Sequence, residues 1–142
     1  MLRYILLTSC LLVAACGSDS PSAPTPAPPS FSQTDLVVGT GAEATAGRRL
    51  TVHYTLWLYD PAQAELKGRQ IETSAGRAPF TFTLGAREVI AGWDQGFAGM
   101  RVGGRRRLVI PPSLAYGSTP PQGSGIPPNA TLVFDVELIA VQ

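Results

Sequence analysis

The chain has 142 residues and a formal charge of +1, from eleven basic and ten acidic side chains. This length suits a single domain with one modest hydrophobic core. A chain with 44% apolar and 15% charged residues is expected to fold, and a charge this close to balance argues against a nucleic-acid partner.

The first twenty residues, MLRYILLTSCLLVAACGSDS, have the organisation of a secretory signal. Arg3 precedes an apolar stretch over residues 4–13, a run too short to span a bilayer, and small residues follow it. The sequence VAAC resembles a bacterial lipobox, so we expect residues 1–15 to be removed as a signal peptide and Cys16 to be lipidated. The alternative is a secreted protein cleaved after Ala15. No cysteine follows Cys16, which leaves the mature domain without a disulfide.

Residues 16–34 are predicted to be the lipidated cysteine and a Pro-, Ser- and Ala-rich tether, and residues 35–142 the folded domain. The stretch GSDSPSAPTPAPPS offers nothing to a core, and as extended polyproline it would reach about 40 Å. Gly17 after the lipobox cysteine favours, by analogy, the outer membrane. We therefore expect a lipoprotein of the bacterial cell envelope that faces the periplasm and touches the membrane only through its lipid anchor.

Three segments alternate between apolar and polar residues and predict half-buried strands: LTVHYTLWLY, PFTFTLG and ATLVFDVELIAV. Together they indicate an antiparallel sheet with one face in water. RRRLVIPP is a fourth candidate strand, ended by its two prolines. Its pattern places Arg106 on the face of Leu108, where snorkelling at the strand end would keep the guanidinium in water.

One helix is predicted over AREVIAGWDQGFAGM, where Val89, Trp93, Phe97 and Met100 recur at helical spacing. Its glycines weaken it by about 1 kcal/mol each relative to alanine, so packing against the sheet must stabilise it. Residues 59–78 are predicted to form a long loop with a short strand at RQIET. Strands with a single short helix indicate the α+β class.

The residues offer little for covalent catalysis. His53 is the only histidine, and the alternation places it on the outward face of its strand. The chain has no paired-cysteine, HExxH, P-loop or Rossmann motif, so the activity we expect needs no metal and no cofactor. Aromatic side chains on inward faces, together with two tyrosine hydroxyls that require partners, favour an apolar pocket with a few polar groups.

VHYTLWL, PFTFTLG, REVIAGWDQGFAGMRVGGRRRLVIPPSLAYG and IPPNATLVFDVEL resemble, in order, the FKBP-type peptidyl-prolyl cis-trans isomerases. The resemblance covers nearly all of residues 36–142. It implies a bent antiparallel sheet wrapped around one short α-helix, and a non-covalent isomerase of X-Pro bonds. Residues 118–129, which we call the flap, would lie beside the mouth of the pocket. The implied site residues are Tyr54, Ile71, Glu72, Phe80, Val89, Ile90, Trp93, Tyr116, Ile126 and Phe134.

By the same resemblance, Trp93 would form the floor of the pocket, and the backbone N–H of Ile90 and the hydroxyl of Tyr116 would hold substrate carbonyls. The expected partners are proline-containing segments of unfolded or folding envelope proteins and the family's macrolide inhibitors, bound by a monomer. Ile71 and Glu72 replace a Phe-Asp pair usual in active members. A proline-directed chaperone or binding module with little turnover therefore stays open, as does an envelope scaffold or adhesin that merely uses the fold.

Overall fold

The computed structural model describes residues 27–142, which contain six β-strands and one α-helix. The predicted signal peptide over residues 1–15, the lipidation at Cys16 and residues 17–26 of the predicted tether lie outside the described residues. No helix in the described part of the chain is long and apolar enough to cross a membrane. The elements are β1 (Ser32–Val37), β2 (Arg49–Tyr59), β3 (Lys67–Thr73), β4 (Phe80–Thr83), α1 (Ala91–Phe97), β5 (Arg105–Ile110) and β6 (Leu132–Val141).

All six strands form one antiparallel sheet in the order β1-β5-β6-β2-β3, with β4 pairing with the first half of β2. The predicted α+β class, an antiparallel sheet with one short helix, is therefore confirmed. The strand at RQIET also exists and is longer than predicted, since β3 starts at Lys67. Strand β2 changes partner along its length, because Leu50 lies opposite Phe82 of β4 and Leu56 lies opposite Glu72 of β3.

The alternation predicted for β2 and β6 places the expected residues in the core. Leu50 and Val52 of β2, and Leu132 and Leu138 of β6, are completely buried. Helix α1 lies on this inner face of the sheet. The core beneath it also includes Phe82, Phe97, Met100, Leu108, Ile110, Phe134 and Val136.

Strand β1 starts at Ser32, three residues before the predicted start of the domain at residue 35, and it pairs with β5 at the edge of the sheet. All six of its residues are exposed, so its sequence carries no buried face that alternation would reveal. The folded part of the chain thus extends into the segment that the sequence assigned to the tether.

The helix is shorter than predicted, since α1 covers seven residues rather than the fifteen of the periodic segment. Val89 precedes it and Met100 follows it, although both still pack at the inner face. Gly92 and Gly96 explain how so short a helix is stabilised. A Cβ on Gly92 would overlap Ile110, and a Cβ on Gly96 would lie 2.6 Å from Leu108 Cδ1, so both glycines allow the helix backbone to rest directly on β5.

Arg106 does not snorkel into water as predicted. It is 7% exposed, and its guanidinium donates hydrogen bonds to the carbonyl oxygens of Gly96 at 2.8 Å and Ala98 at 3.2 Å. Asp35 of β1 accepts a third bond at 2.5 Å. Arg106 therefore satisfies carbonyl groups at the C-terminal end of α1, which a seven-residue helix cannot satisfy internally.

The outer face of the sheet is only partly in water. Val133 is completely buried there, at the end of the sheet where residues 60–66 connect β2 to β3. Four charges hold this connection against the sheet: Lys67 contacts Asp135 at 2.7 Å and Glu65 at 3.0 Å, while Arg107 contacts Asp135 at 2.7 Å. The predicted wet face is thus covered at the end where β2 and β3 meet.

Candidate active site

A cavity of about 220 Å³ opens at the inner face of the sheet beside α1. Side chains from four strands, the helix and two loops surround it, and most of them are apolar. Its lining residues are Tyr54, Leu56, Glu72, Phe80, Glu88, Val89, Ile90, Trp93, Tyr116 and Phe134.

Trp93 forms the floor of this cavity and is 5% exposed. Its ring meets the rings of Tyr54 and Phe134 edge-on, with centroids 5.2 and 5.4 Å away. Phe82 and Phe97 pack against it from below at 5.6 and 5.2 Å. Edge-to-face contacts of this kind fix the orientation of each ring. The indole is therefore held rigidly although, within the described residues, its buried Nε1 has no hydrogen-bond partner.

The loop between β4 and α1 supplies two further walls, Val89 and Ile90. Two carboxylates hold this loop in place: Glu88 accepts the backbone N–H of Thr83 at 3.0 Å, and Asp94 accepts that of Gly85 at 2.8 Å. The backbone N–H of Ile90 makes no hydrogen bond with the described residues. It is thus available to a ligand at the rim of the cavity.

Two tyrosine hydroxyls add polar groups to the apolar walls. Burial, followed by the negative charge of Glu72, raises the pKa of Tyr54 to about 12. The same two causes, in the same order, raise the pKa of Tyr116. Both hydroxyls therefore keep their protons at neutral pH and can donate hydrogen bonds.

Eight of the ten residues predicted for the site line the cavity, and the other two, Ile71 and Ile126, lie beside it. Both isoleucines are half-buried and pack against the core. Ile126 belongs to the flap, whose Gly125 carbonyl accepts a hydrogen bond from Arg69 Nη2 at 2.7 Å. The flap and β3 therefore meet at one side of the cavity.

Two lining residues were missing from the predicted set, Leu56 and Glu88. Leu56 could have been found, because it follows Tyr54 by two positions on the inward face of β2 and period two places both on one side. Glu88 gave no comparable signal, since its position depends on how the loop before the helix bends. Arg87 within that loop has a positive φ of 60°, which sequence periodicity does not reveal.

The described residues contain no cluster of histidine, cysteine or carboxylate groups suited to a metal ion. His53 is half-buried and lies with its Nδ1 2.9 Å from Ser74 Oγ, which in turn accepts the backbone N–H of Tyr54 at 2.8 Å. This histidine therefore braces β2 and the segment after β3 rather than standing free at the surface. The cavity itself offers apolar contact, hydroxyl and amide donors, and two carboxylates.

Comparison with known proteins gives one consistent result. A family model described as FKBP-type peptidyl-prolyl cis-trans isomerase matches residues 41–139. The FK506-binding protein of Neisseria meningitidis serogroup A is 47% identical over 110 residues, which cover 75% of this chain and 92% of that protein. FkpA from Escherichia coli is similar in structure, with a TM-score of 0.65 and 37% identity over 79% of this chain and 48% of FkpA. A peptidyl-prolyl cis-trans isomerase from Pseudomonas syringae pv. tomato gives a TM-score of 0.64 with 36% identity, covering 79% of this chain and 75% of that one.

Proposed function

Because this chain belongs to the family of FKBP-type peptidyl-prolyl cis-trans isomerases, we propose that it isomerises X-Pro bonds of exported proteins in the cavity floored by Trp93. The family binds proline-containing substrates and FK506-type inhibitors. At about 220 Å³ the cavity is smaller than the pockets that enclose a whole drug-sized ligand. Its size suits a single proline ring, with the flanking residues of the substrate lying along the rim.

The observation that carries this proposal is an aromatic floor beside donors that keep their protons. Rotation about an X-Pro bond breaks amide resonance and has a barrier of about 18–20 kcal/mol. A twisted amide has a less polar carbonyl than a planar one, so it tolerates apolar surroundings better. A rigid apolar cavity therefore binds the transition state more tightly than the ground state, and a difference of about 7 kcal/mol would accelerate rotation about 10⁵-fold.

The polar groups would orient the substrate in that cavity. The N–H of Ile90, which is unpaired among residues 27–142, and the hydroxyl of Tyr116 would hold substrate carbonyls on either side of the proline. The Tyr54 hydroxyl, with its raised pKa, would donate toward the same space. No group on the protein exchanges a proton with the substrate in this mechanism, since the reaction only rotates a bond.

The two tryptophans of the chain provide a matched test in a protease-coupled assay on an X-Pro peptide. Trp93→Leu removes the floor and should lower kcat/KM at least about tenfold, the equivalent of about 1.4 kcal/mol. Trp57 lies on β2 with Lys67 Nζ 4.3 Å above its ring, and it does not line the cavity, so Trp57→Leu should leave kcat/KM unchanged. Tyr116→Phe keeps the ring and should show a smaller loss. Equal losses in both tryptophan variants would contradict the proposal.

A binding module with little turnover is the second candidate function. Two residues support this candidate: Ile71 does not line the cavity, and Glu72 stands where the family resemblance leads us to expect the shorter Asp. This candidate requires peptide binding by the folded protein without any rate enhancement. Calorimetry with the assay peptide, run beside the coupled assay, separates the two functions.

The envelope location is a further part of the proposal, supported by the lipobox-like VAAC and the proline-rich segment after it. The described end of that segment, Ala27 to Pro29, lines one surface pocket together with Tyr59 and Thr131, so a tether would leave the domain near the end of β2 and the start of β6. Cys16→Ala should shift the protein from the membrane fraction to the soluble fraction. Cys10→Ala, inside the expected signal peptide, is the matched control and should change nothing.

A further inference from the structure

The flap has very few hydrogen bonds to the rest of the domain. At its base, the backbone N–H of Asn129 donates to the carbonyl of Gly117 at 2.7 Å. Its other bonds are local, such as that from the N–H of Ile126 to Ser124 Oγ at 3.3 Å. Among the described residues, the bond from Arg69 Nη2 to the Gly125 carbonyl, at 2.7 Å, is the one that joins the flap to a strand of the sheet.

The flap rests on β3 at the point where this bond forms. A Cβ built on Gly125 would lie 3.6 Å from Arg69 Nη1 and 4.0 Å from Ile71 Cδ1, so the flap backbone lies beside both side chains. Gly125 has a φ of +74°, a conformation that glycine adopts without strain. The adjoining Ile126 packs against the core next to the cavity. Arg69 therefore binds the flap one residue before its inward-facing side chain.

We propose that Arg69 is a positioning residue, which holds the flap against β3 and so keeps Ile126 in place beside the substrate cavity. The bond is charge-assisted but exposed, so we assign it the strength of an ordinary hydrogen bond. Without it, Ile126 would have to be ordered each time a substrate binds. Because Ile126 lies beside the cavity and not in its lining, we expect it to contact the planar and the twisted substrate alike, so its displacement weakens binding of both and raises KM while kcat is unchanged.

This inference rests on the proposed function, and its test compares three variants in the coupled assay. Arg69→Met removes the donor while keeping an unbranched apolar side chain, and it should raise KM about fivefold, which equals about 1 kcal/mol, with kcat within error of wild type. Arg69→Lys keeps a charged donor and should recover part of that loss. Arg48→Met is the control, since Arg48 is exposed and its backbone bonds are to Thr45 and Leu84 and not to the flap.

A second measurement reports the mobility of the flap directly and does not depend on catalysis. The NMR order parameter of the Ile126 δ1 methyl group should fall in Arg69→Met and stay at its wild-type value in Arg48→Met, with urea midpoints unchanged in both. If Arg69→Met has the wild-type KM and the wild-type Ile126 order parameter, Arg69 does not hold the flap and the proposal is wrong. Absence of turnover in folded wild-type protein overturns the proposed function instead, and the methyl measurement still decides whether Arg69 holds the flap.

Discussion

Replacing Arg106 with methionine should destabilise the domain strongly, whereas replacing its acidic partner Asp35 should not. Arg106 is 7% exposed, and two of its three hydrogen bonds go to the carbonyls of Gly96 and Ala98 at the end of α1. Methionine keeps most of the side-chain volume but has no donor. It would leave the buried carbonyl of Gly96 and the partly buried carbonyl of Ala98 unpaired, and since a buried unpaired group costs about 1–3 kcal/mol, we expect a total loss of about 3 kcal/mol.

The ion pair with Asp35 contributes much less to this total. The Asp35 side chain is 45% exposed, and partly exposed ion pairs are worth about 0–1 kcal/mol. Asp35→Asn also keeps an oxygen that can accept the bond from Arg106 Nε. We therefore expect it to lower the free energy of unfolding by about 0.5 kcal/mol.

Urea unfolding followed by Trp fluorescence measures both changes. With a denaturant slope of about 1.5 kcal/mol per molar urea, Arg106→Met should move the midpoint down by about 2 M and Asp35→Asn by about 0.3 M. Equal shifts in the two variants would show that the ion pair, rather than helix capping, is what Arg106 contributes. An unchanged midpoint in Arg106→Met would refute the capping argument altogether.

Three further changes test other parts of the structure. Burial opposes ionisation of Asp135, but hydrogen bonds from Arg107 and Lys67 outweigh it and hold the pKa of Asp135 below its ordinary value. The stabilising contribution of Asp135 is therefore complete above about pH 4 and is lost as the pH falls through that lowered pKa. The difference in urea midpoint between wild type and Asp135→Asn should accordingly shrink below about pH 4, and a difference that does not vary with pH contradicts this. Ile71→Phe combined with Glu72→Asp should raise kcat/KM about fivefold, because the added apolar contact beside the cavity should contribute about 1 kcal/mol of binding free energy. An unchanged kcat/KM would show that Ile71 does not limit catalysis. Gly96→Ala should lower the urea midpoint in spite of the higher helix propensity of alanine, because its Cβ would lie 2.6 Å from Leu108 Cδ1. The control Gln95→Ala, at an exposed helix position, should not lower the midpoint. A raised midpoint in Gly96→Ala would show that β5 shifts to accommodate the added methyl group.

The alternation of apolar and polar residues was enough to predict the strands whose side chains line the cavity. In β2 and β6 one face is packed and the other carries most of the polar residues, so alternation alone identifies Tyr54 and Phe134 as inward-facing residues. The same rule fails for β1, because both faces of that edge strand are exposed. It places Arg106 correctly on the face of Leu108, but it does not reveal the carbonyl groups that hold the guanidinium there, since alternation reports the face on which a side chain lies and not its partners.

The flap and the loop before α1 could not be derived from periodicity at all. Their conformations depend on positive φ angles at Arg87, Gly123 and Gly125 and on single contacts across long stretches of sequence, such as Arg69 to Gly125. The family resemblance supplied Val89, Ile90, Tyr116 and Ile126 where the pattern of the residues did not. It could not supply Arg69, whose importance is visible only once β3 and the flap lie side by side.

In helix α1, the residues that favour an isolated helix are not the residues that best position the cavity. Gly92 and Gly96 together weaken the helix by about 2 kcal/mol relative to alanine, yet they allow its backbone to rest on Ile110 and Leu108. Arg106 then caps the end of the helix from the same strand, β5. Trp93 lies between the two glycines, so the close approach that they permit sets the depth of the cavity floor. Alanine at Gly92 or Gly96 would improve the isolated helix and is therefore expected to lift Trp93 away from β5 and disrupt the site, as long as Leu108 and Ile110 remain where they are.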